Sequence, residues 1–296
     1  MNVMITGGTG FIGSHIAKAM FEQGTNVWIL TRDVSYKSRA TVPPASSYVL
    51  IDELLHFLTS THIDVLICGA VAYGRGGESP DDVLQCNVVF HLKILEMMGQ
   101  IKPRYIINLD TFFNKNGVCN YMFWYSRSKA WGTDALRELC RTESIGFVNL
   151  MLEQVYGPTD SDKKFATFVI NSLAANVKRI DLTHGLQKRD FIFVEDVAQA
   201  VICVVDHIES ALFEKAGIIE VGNGEMITIR QFVETVKRLS GAETELCFGA
   251  MTMAQSELTE SKANIRWLSM SGWSASIGLE EGIQRCLREL KKNLCP

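Results

Sequence analysis

The run Thr6-Gly7-Gly8-Thr9-Gly10-Phe11-Ile12-Gly13, directly after the apolar residues 3–6, constrains this chain more than any other feature. Glycines spaced G-x-x-G-x-x-G between a strand and a helix suit the first crossover of a parallel sheet. Gly7 permits a tight turn, Gly10 lets the backbone approach a pyrophosphate, and Gly13 lets helix and strand pack closely. The helix then offers unpaired N–H groups to phosphates. A glycine-rich turn without a ligand is the competing interpretation, and the flanking strand and helix weigh against it.

The rest of the first 150 residues continues the alternation. Apolar runs at 26–30, 48–51, 64–68, 105–109 and 147–152 predict strands, and 12–23, 81–98 and 125–142 predict helices. In the segment from Asp81, Leu84, Val88, Leu92 and Leu95 are spaced for one helical face, and Asp81 and Asp82 stand where the dipole favours acids. Beyond Val155-Tyr156-Gly157-Pro158, a turn signal, the alternation loosens. Helices are expected at 165–176, 195–207, 228–239 and over the last 20 residues, with a strand at 191–194. The expected organisation is a dinucleotide-binding domain over 1–155, to which 191–215 returns. A smaller substrate-binding unit is expected from 156–190 and 216–296, over the carboxyl ends of the strands.

Composition removes several classes. Apolar residues make up 47% and charged residues 21%, enough to bury a sizeable core. A net charge of −4 with no basic stripe argues against nucleic acid as a partner. The eight cysteines form no C-x-x-C pair, which argues against a zinc site or other metal and against a disulfide framework. Most of these thiols are expected in a core, in the reducing cytoplasm. No apolar stretch reaches the roughly 20 residues needed to span a bilayer, so no membrane is expected as a partner.

The end of the second strand bears on the cofactor. An acid there bonds the ribose 2′-hydroxyl of NAD, whereas arginine accommodates the 2′-phosphate of NADP. This chain has Leu30-Thr31-Arg32-Asp33, so Thr31 takes the usual acid position and Arg32 can pair bidentately with phosphate. NADP(H) is the expected cofactor; an NAD site with Asp33 as a displaced acid is the alternative. Asp52, after the third strand, either contacts the adenine amino group or caps a helix. Gly69 and Ala70, ending the fourth strand, complete the expected cofactor contacts with Phe11, Ile12 and Lys129.

Tyr125 and Lys129 form a Y-x-x-x-K pair on one face of a helix. An ammonium there would lower the phenol pKa from about 10 and make it a usable general acid or base. Lys129 can also hold the nicotinamide ribose. Thr111, just past the fifth strand, can orient a carbonyl; an ordinary strand-end threonine is the alternative. Tyr121 is a rival tyrosine, but Tyr125 has the lysine four residues on.

Together GGTGFIGSH, Tyr125-Ser-Arg-Ser-Lys129, Val155-Tyr156-Gly157-Pro158 and Arg189-Asp190-Phe-Ile-Phe-Val-Glu-Asp196 resemble the extended short-chain dehydrogenases that act on nucleotide sugars. Within them the chain looks most like the CDP-abequose and CDP-paratose synthases. The segments carrying this are Leu30-Thr-Arg-Asp-Val34, Ala72-Tyr73-Gly74-Arg75, Asn108-Leu-Asp-Thr-Phe-Phe113, Lys163-Lys164-Phe165 and His184 to Phe191. The resemblance implies an α/β fold with a Rossmann-type doubly wound parallel sheet and a smaller α/β C-terminal substrate domain. It implies NADPH-dependent reduction of a CDP-4-keto-3,6-dideoxyhexose, and a homodimer through the helices at 81–98 and 125–142. It makes Thr111, Tyr125 and Lys129 the catalytic triad. Arg189 would pair with the substrate diphosphate, unless it is a solvated surface charge. Lys164 and Phe165 would lie near the nucleotide, and Tyr73 and Gln154 would face the substrate. Met151 and Ala254 depart from the pattern, since relatives carry a basic residue at the first and often an arginine at the second. A nucleotide-sugar 4-epimerase with tightly held NAD is the nearest rival, and a non-catalytic dinucleotide sensor a third possibility.

Overall fold

A computed structural model describes residues 1–33, 47–115, 121–210, 217–254 and 256–294. Val34, Cys119, Cys295 and residues 211–215, which figure in the expectations above, lie outside the described residues.

The strands are β1 (Asn2–Thr6), β2 (Asn26–Thr31), β3 (Tyr48–Leu50), β4 (Val65–Cys68), β5 (Tyr105–Thr111), β6 (Gly146–Leu152), β7 (Gln154–Tyr156), β8 (Arg179–Leu182), β9 (Lys188–Arg189), β10 (Phe191–Phe193), β11 (Ile218–Val221), β12 (Ile227–Thr228) and β13 (Glu245–Phe248). The α-helices are α1 (Phe11–Glu22), α2 (Leu54–Leu58), α3 (Pro80–Leu84), α4 (Phe90–Met98), α5 (Phe123–Thr142), α6 (Phe165–Ala174), α7 (Val194–Asp206), α8 (Ile229–Ser240), α9 (Arg266–Met270) and α10 (Leu279–Leu294).

Seven strands form one parallel sheet in the order β11-β6-β5-β4-β1-β2-β3. The order reverses at β1, the switch point where open α/β sheets bind ligands. Val3, Met4 and Ile5 are fully buried, so β1 is covered on both faces, as a central parallel strand must be. One face packs on α1 and α7 through Ile16, Ala17, Met20, Val197 and Val201. The other packs on α2, α4 and α5 through Leu54, Ile94, Leu95 and Leu136. A separate core of Tyr156, Val169, Phe193, Phe232, Val236 and Ile283 joins α6, α8 and α10.

Two expectations need correction. Residues 218–221, assigned by sequence to the smaller unit, are the edge strand β11 of the large sheet, paired with β6. Leu268 and Trp273 also pack into the first core. The strand is only four residues long, and its pattern (Ile219 and Val221 buried, Ile218 exposed) gives little periodicity to detect.

The expected helix 81–98 is broken by a π-helical segment, Gln85–Val89. The wider turn rotates the buried face onto Val83, Asn87, His91, Ile94 and Met98. Leu84, Val88 and Leu92 are left half-buried, and only Leu95 of the expected stripe is in the core. Ser79 and Asp82 start α3 with a reciprocal capping box. In the π segment, buried Asn87 holds the Ala72 backbone from both sides, at 2.8 and 2.9 Å, and reaches Ser128 at 2.9 Å.

Helix α5 crosses this segment at Gly132, where a methyl group would overlap the Asn87 carbonyl oxygen. Gly132→Ala is therefore expected to cost about 1–3 kcal/mol, as a lowered urea midpoint. An unchanged midpoint would mean that the two helices separate freely.

Candidate active site

A cleft of ≈ 1780 Å³ runs along the carboxyl ends of the parallel strands and on between the two cores. That is larger than the roughly 300–1,000 Å³ of a site for one small molecule, so it has room for a dinucleotide and a second ligand. Gly7, Gly10, Phe11, Ile12 and Gly13 line one end, with Thr31, Arg32, Gly69 and Ala70. Thr111, Tyr125 and Lys129 stand in the middle, and Tyr73, Gln154, Lys164, Phe165 and Arg189 also face it.

The glycine loop is held by its backbone. Gly7 has φ +68°, and its carbonyl accepts from the Gly10 N–H at 2.9 Å. The Thr6 hydroxyl accepts from the Gly69 and Ala70 N–H groups at 3.1 and 3.3 Å, tying the ends of β1 and β4 together. His91 lies 2.9 Å from the same hydroxyl, and burial lowers its pKa to about 3, so the ring there is neutral.

At the end of β2 the Thr31 hydroxyl donates to the Asp33 carbonyl and accepts its N–H, at 3.0 and 3.3 Å. Arg32 is exposed and lines the cleft, as does Asp33. Asp52 behaves differently from both expectations. It is exposed in the short turn Ile51–Glu53 and is absent from the cleft wall, where Ile51 stands instead. No side-chain cap bond is made there either. The turn places Ile51, and not its polar neighbour, toward the cleft.

Tyr125 and Lys129 leave α5 one turn apart, both buried. The Tyr125 ring stacks on Tyr73 with centroids 4.6 Å apart and planes 16° from parallel. Its hydroxyl is hydrogen-bonded with Thr111 and Tyr73. The Lys129 ammonium donates to the Leu109 carbonyl at 2.6 Å. Burial raises the Tyr125 pKa well above the usual phenol range and Tyr73 adds to the rise, while Thr111 and the Lys164 ammonium act in the other direction. Burial lowers Lys129, and Asp110 is the largest influence in the opposite direction.

Lys164 and Arg189 line the cleft, and each has an acidic partner from within the chain. Lys164 pairs with buried Asp160 at 3.0 Å, and its ammonium lies 5.1 Å from the ring centres of both Phe11 and Tyr73. That puts it beside the glycine loop and the stacked tyrosines. Arg189 is no solvated charge, being 4% exposed. Its guanidinium pairs with Glu257 at 3.1 Å and donates to the Lys188 and Leu258 carbonyls at 2.8 and 2.7 Å. It also lines the cleft. Phe165 begins α6, and Gln154 begins β7 half-buried.

Sequence reasoning passed over Asn108, Asp110, Asn149 and Thr133, a buried polar network beneath Thr111. Polar residues inside apolar strands were the available signal. Among the described residues no cysteine is disulfide-bonded and no cluster of three metal-ligating side chains occurs. Cys68, Cys140 and Cys286 are buried; Cys86, Cys203 and Cys247 are half-buried. No described helix is long and apolar enough to cross a membrane.

With this geometry in view, residues 3–222 match the NAD dependent epimerase/dehydratase family. The chain belongs to that family, whose chemistry uses a nicotinamide dinucleotide. It is 28% identical to the CDP-abequose synthase of Salmonella muenchen over 96% of both chains. Two solved structures share its fold. One is a UDP-glucose 4-epimerase of Thermotoga maritima with UDP-glucose, at TM-score 0.81 and 19% identity over 99% of this chain and 100% of that one. The other is the Bordetella bronchiseptica enzyme WbmF with NADH, at TM-score 0.80 and 21% identity over 99% and 92%.

Proposed function

We propose that this chain reduces the 4-keto group of a nucleotide-linked deoxysugar, CDP-4-keto-3,6-dideoxyglucose or a close analogue, with NADPH. The observation that carries this is the meeting of Thr111, Tyr125 and Lys129 midway along a cleft that begins at the glycine loop. Full-length similarity to a CDP-abequose synthase supports the substrate class.

The residues at the glycine-loop end fit a dinucleotide. Backbone from Gly7 to Gly13 and at Gly69 and Ala70 would approach the pyrophosphate, and Lys129 would hold the nicotinamide ribose. Bound NADPH supplies the hydride. Thr111 orients the sugar carbonyl, and the Tyr125 hydroxyl gives its proton to the oxygen as the C–H bond forms. Burial keeps that phenol protonated through neutral pH, the form reduction requires. Loss of rate is expected only on the alkaline side, as the phenol ionises.

Exposed Arg32 pairs with the 2′-phosphate. Arg32→Ala is expected to weaken NADPH binding roughly 10- to 100-fold and leave NADH unchanged, measured by titrating protein fluorescence. Equal loss for both cofactors would remove Arg32 from that role. The pairing surface of the homodimer is formed by the helices at 81–98 and 125–142, where Leu84 and Val88 are half-buried and Trp131 is exposed.

A 4-epimerase is the second possibility, favoured by the fold shared with the Thermotoga maritima enzyme. Incubation with the CDP-4-keto sugar and NADPH separates the two. Consumption of NADPH with formation of the 4-hydroxy sugar supports the reductase. Tightly bound NAD, with sugar isomerised and no NADPH consumed, supports the epimerase.

A further inference from the structure

Hydrogen-bond directions in the network under Thr111 can be followed donor by donor. The Asn108 side-chain amide donates to both the Thr133 hydroxyl, at 2.9 Å, and the Asn149 carbonyl oxygen, at 2.7 Å. Thr133 and Asn149 then donate onward to Asp110 Oδ2, at 3.2 and 3.0 Å. The other oxygen, Oδ1, accepts from the Thr111 backbone N–H at 2.8 Å and from the Asn114 amide at 3.0 Å. All four bonds point at Asp110, and only a group that accepts at both oxygens completes them.

Asn108, Asp110, Thr133 and Asn149 are each at most 5% exposed. Thr133, which donates to Asp110, lies one turn of α5 beyond Lys129, and the Lys129 ammonium donates to the carbonyl of Leu109, the residue before Asp110 on β5, so the carboxylate meets the helix face that carries the lysine. A buried ammonium with no anion nearby is costly and tends to lose its proton.

We propose that Asp110 is a positioning residue of the active site, a buried carboxylate that keeps Lys129 charged while fixing the Thr111 backbone. The network orients the carboxylate, the carboxylate supports the ammonium, and the ammonium is then available to the cofactor ribose. This rests on the cofactor role given to Lys129 above. The other titratable groups acting on or under the influence of Lys129 are the Cys68 and Cys86 thiols and the His91 ring. Cys68 comes from β4, Cys86 from the π segment and His91 from α4, and the thiols rank behind Asp110 in supporting the charge.

The test compares wild type with Asp110→Asn and Thr133→Val by titrating NADPH at a series of pH values. Removing the anion lets Lys129 lose its proton sooner, so Asp110→Asn should lose affinity at least about one pH unit lower than wild type. Thr133→Val, which removes a hydrogen bond and keeps the charge, should retain the wild-type pH position. Identical profiles for wild type and Asp110→Asn, or the same displacement in Thr133→Val, overturn the proposal.

Melting temperatures keep the test decisive if Asp110→Asn folds poorly. The double variant Asp110→Asn/Lys129→Met should then melt above Asp110→Asn alone, because it leaves no uncompensated ammonium; additive losses overturn the proposal. Wild-type protein that binds neither NADPH nor NADH would reject the cofactor role of Lys129, while the melting cycle still decides whether Asp110 and Lys129 are coupled.

Discussion

Replacing Tyr125 with phenylalanine is expected to lower the rate of the chemical step about a thousandfold and to leave NADPH affinity within about twofold, since the lost hydroxyl is assigned no contact with the cofactor. The ring remains, so its stacking on Tyr73 persists. What is lost is the one hydroxyl between Thr111 and Tyr73 able to protonate the new alkoxide. Single-turnover oxidation of bound NADPH by the keto sugar, followed by absorbance, measures the effect. Turnover at the wild-type rate would assign the proton to another group. Equal loss of turnover and cofactor binding would mean that the substitution disturbs the cleft as a whole.

Gly7→Ala should have the second large effect, on binding. At φ +68° a side chain is strained, and its Cβ would stand 2.6 Å from the Gly69 carbonyl group and 2.7 Å from the Ala70 nitrogen. These are backbone atoms of a segment whose Gly69 and Ala70 N–H groups donate to the Thr6 hydroxyl, and they cannot rotate away. Strain and overlap together are expected to cost roughly 2–4 kcal/mol, seen as a lowered melting temperature. Displacement of the loop should weaken both NADPH and NADH about a hundredfold or more, because the backbone amides that approach a pyrophosphate move with it. Calorimetric titration at a temperature where the variant is folded separates the two effects. A destabilised variant that binds both cofactors normally would show that the phosphates lie elsewhere.

The parts of the molecule legible in the sequence are those where local chemistry and tertiary position agree. The glycine loop, the long apolar strands and the Y-x-x-x-K spacing are such cases, since each carries a short-range signal. The π segment was not legible, because Leu84, Val88 and Leu92 fit an α-helical period well. The fault in the period is revealed only by Asn87 binding the distant Ala72 backbone. Arg189 illustrates the converse. A lone arginine in a motif suggests an anion from outside, and nothing nearby in the chain points to its internal partner, Glu257, 68 residues away. Asp110 was hidden for a third reason. Its partners come from β5, β6 and α5, so its importance arises from convergence, and along the chain it shows only as one of a few polar residues inside apolar strands.

The edge strand β11 has a consequence for how this chain can be divided. Cutting after residue 155 would leave β6 with an open border and strip away α7, whose Val197, Ala200, Val201 and Val204 fill the core against α1. The N-terminal fragment would expose a hydrophobic floor and unpaired backbone, conditions that favour aggregation. Nucleotide-sugar specificity therefore cannot be exchanged by transplanting the second half as a cassette. A workable chimaera would have to interleave its crossovers, keeping 191–206 and 218–221 with the parent that supplies the sheet.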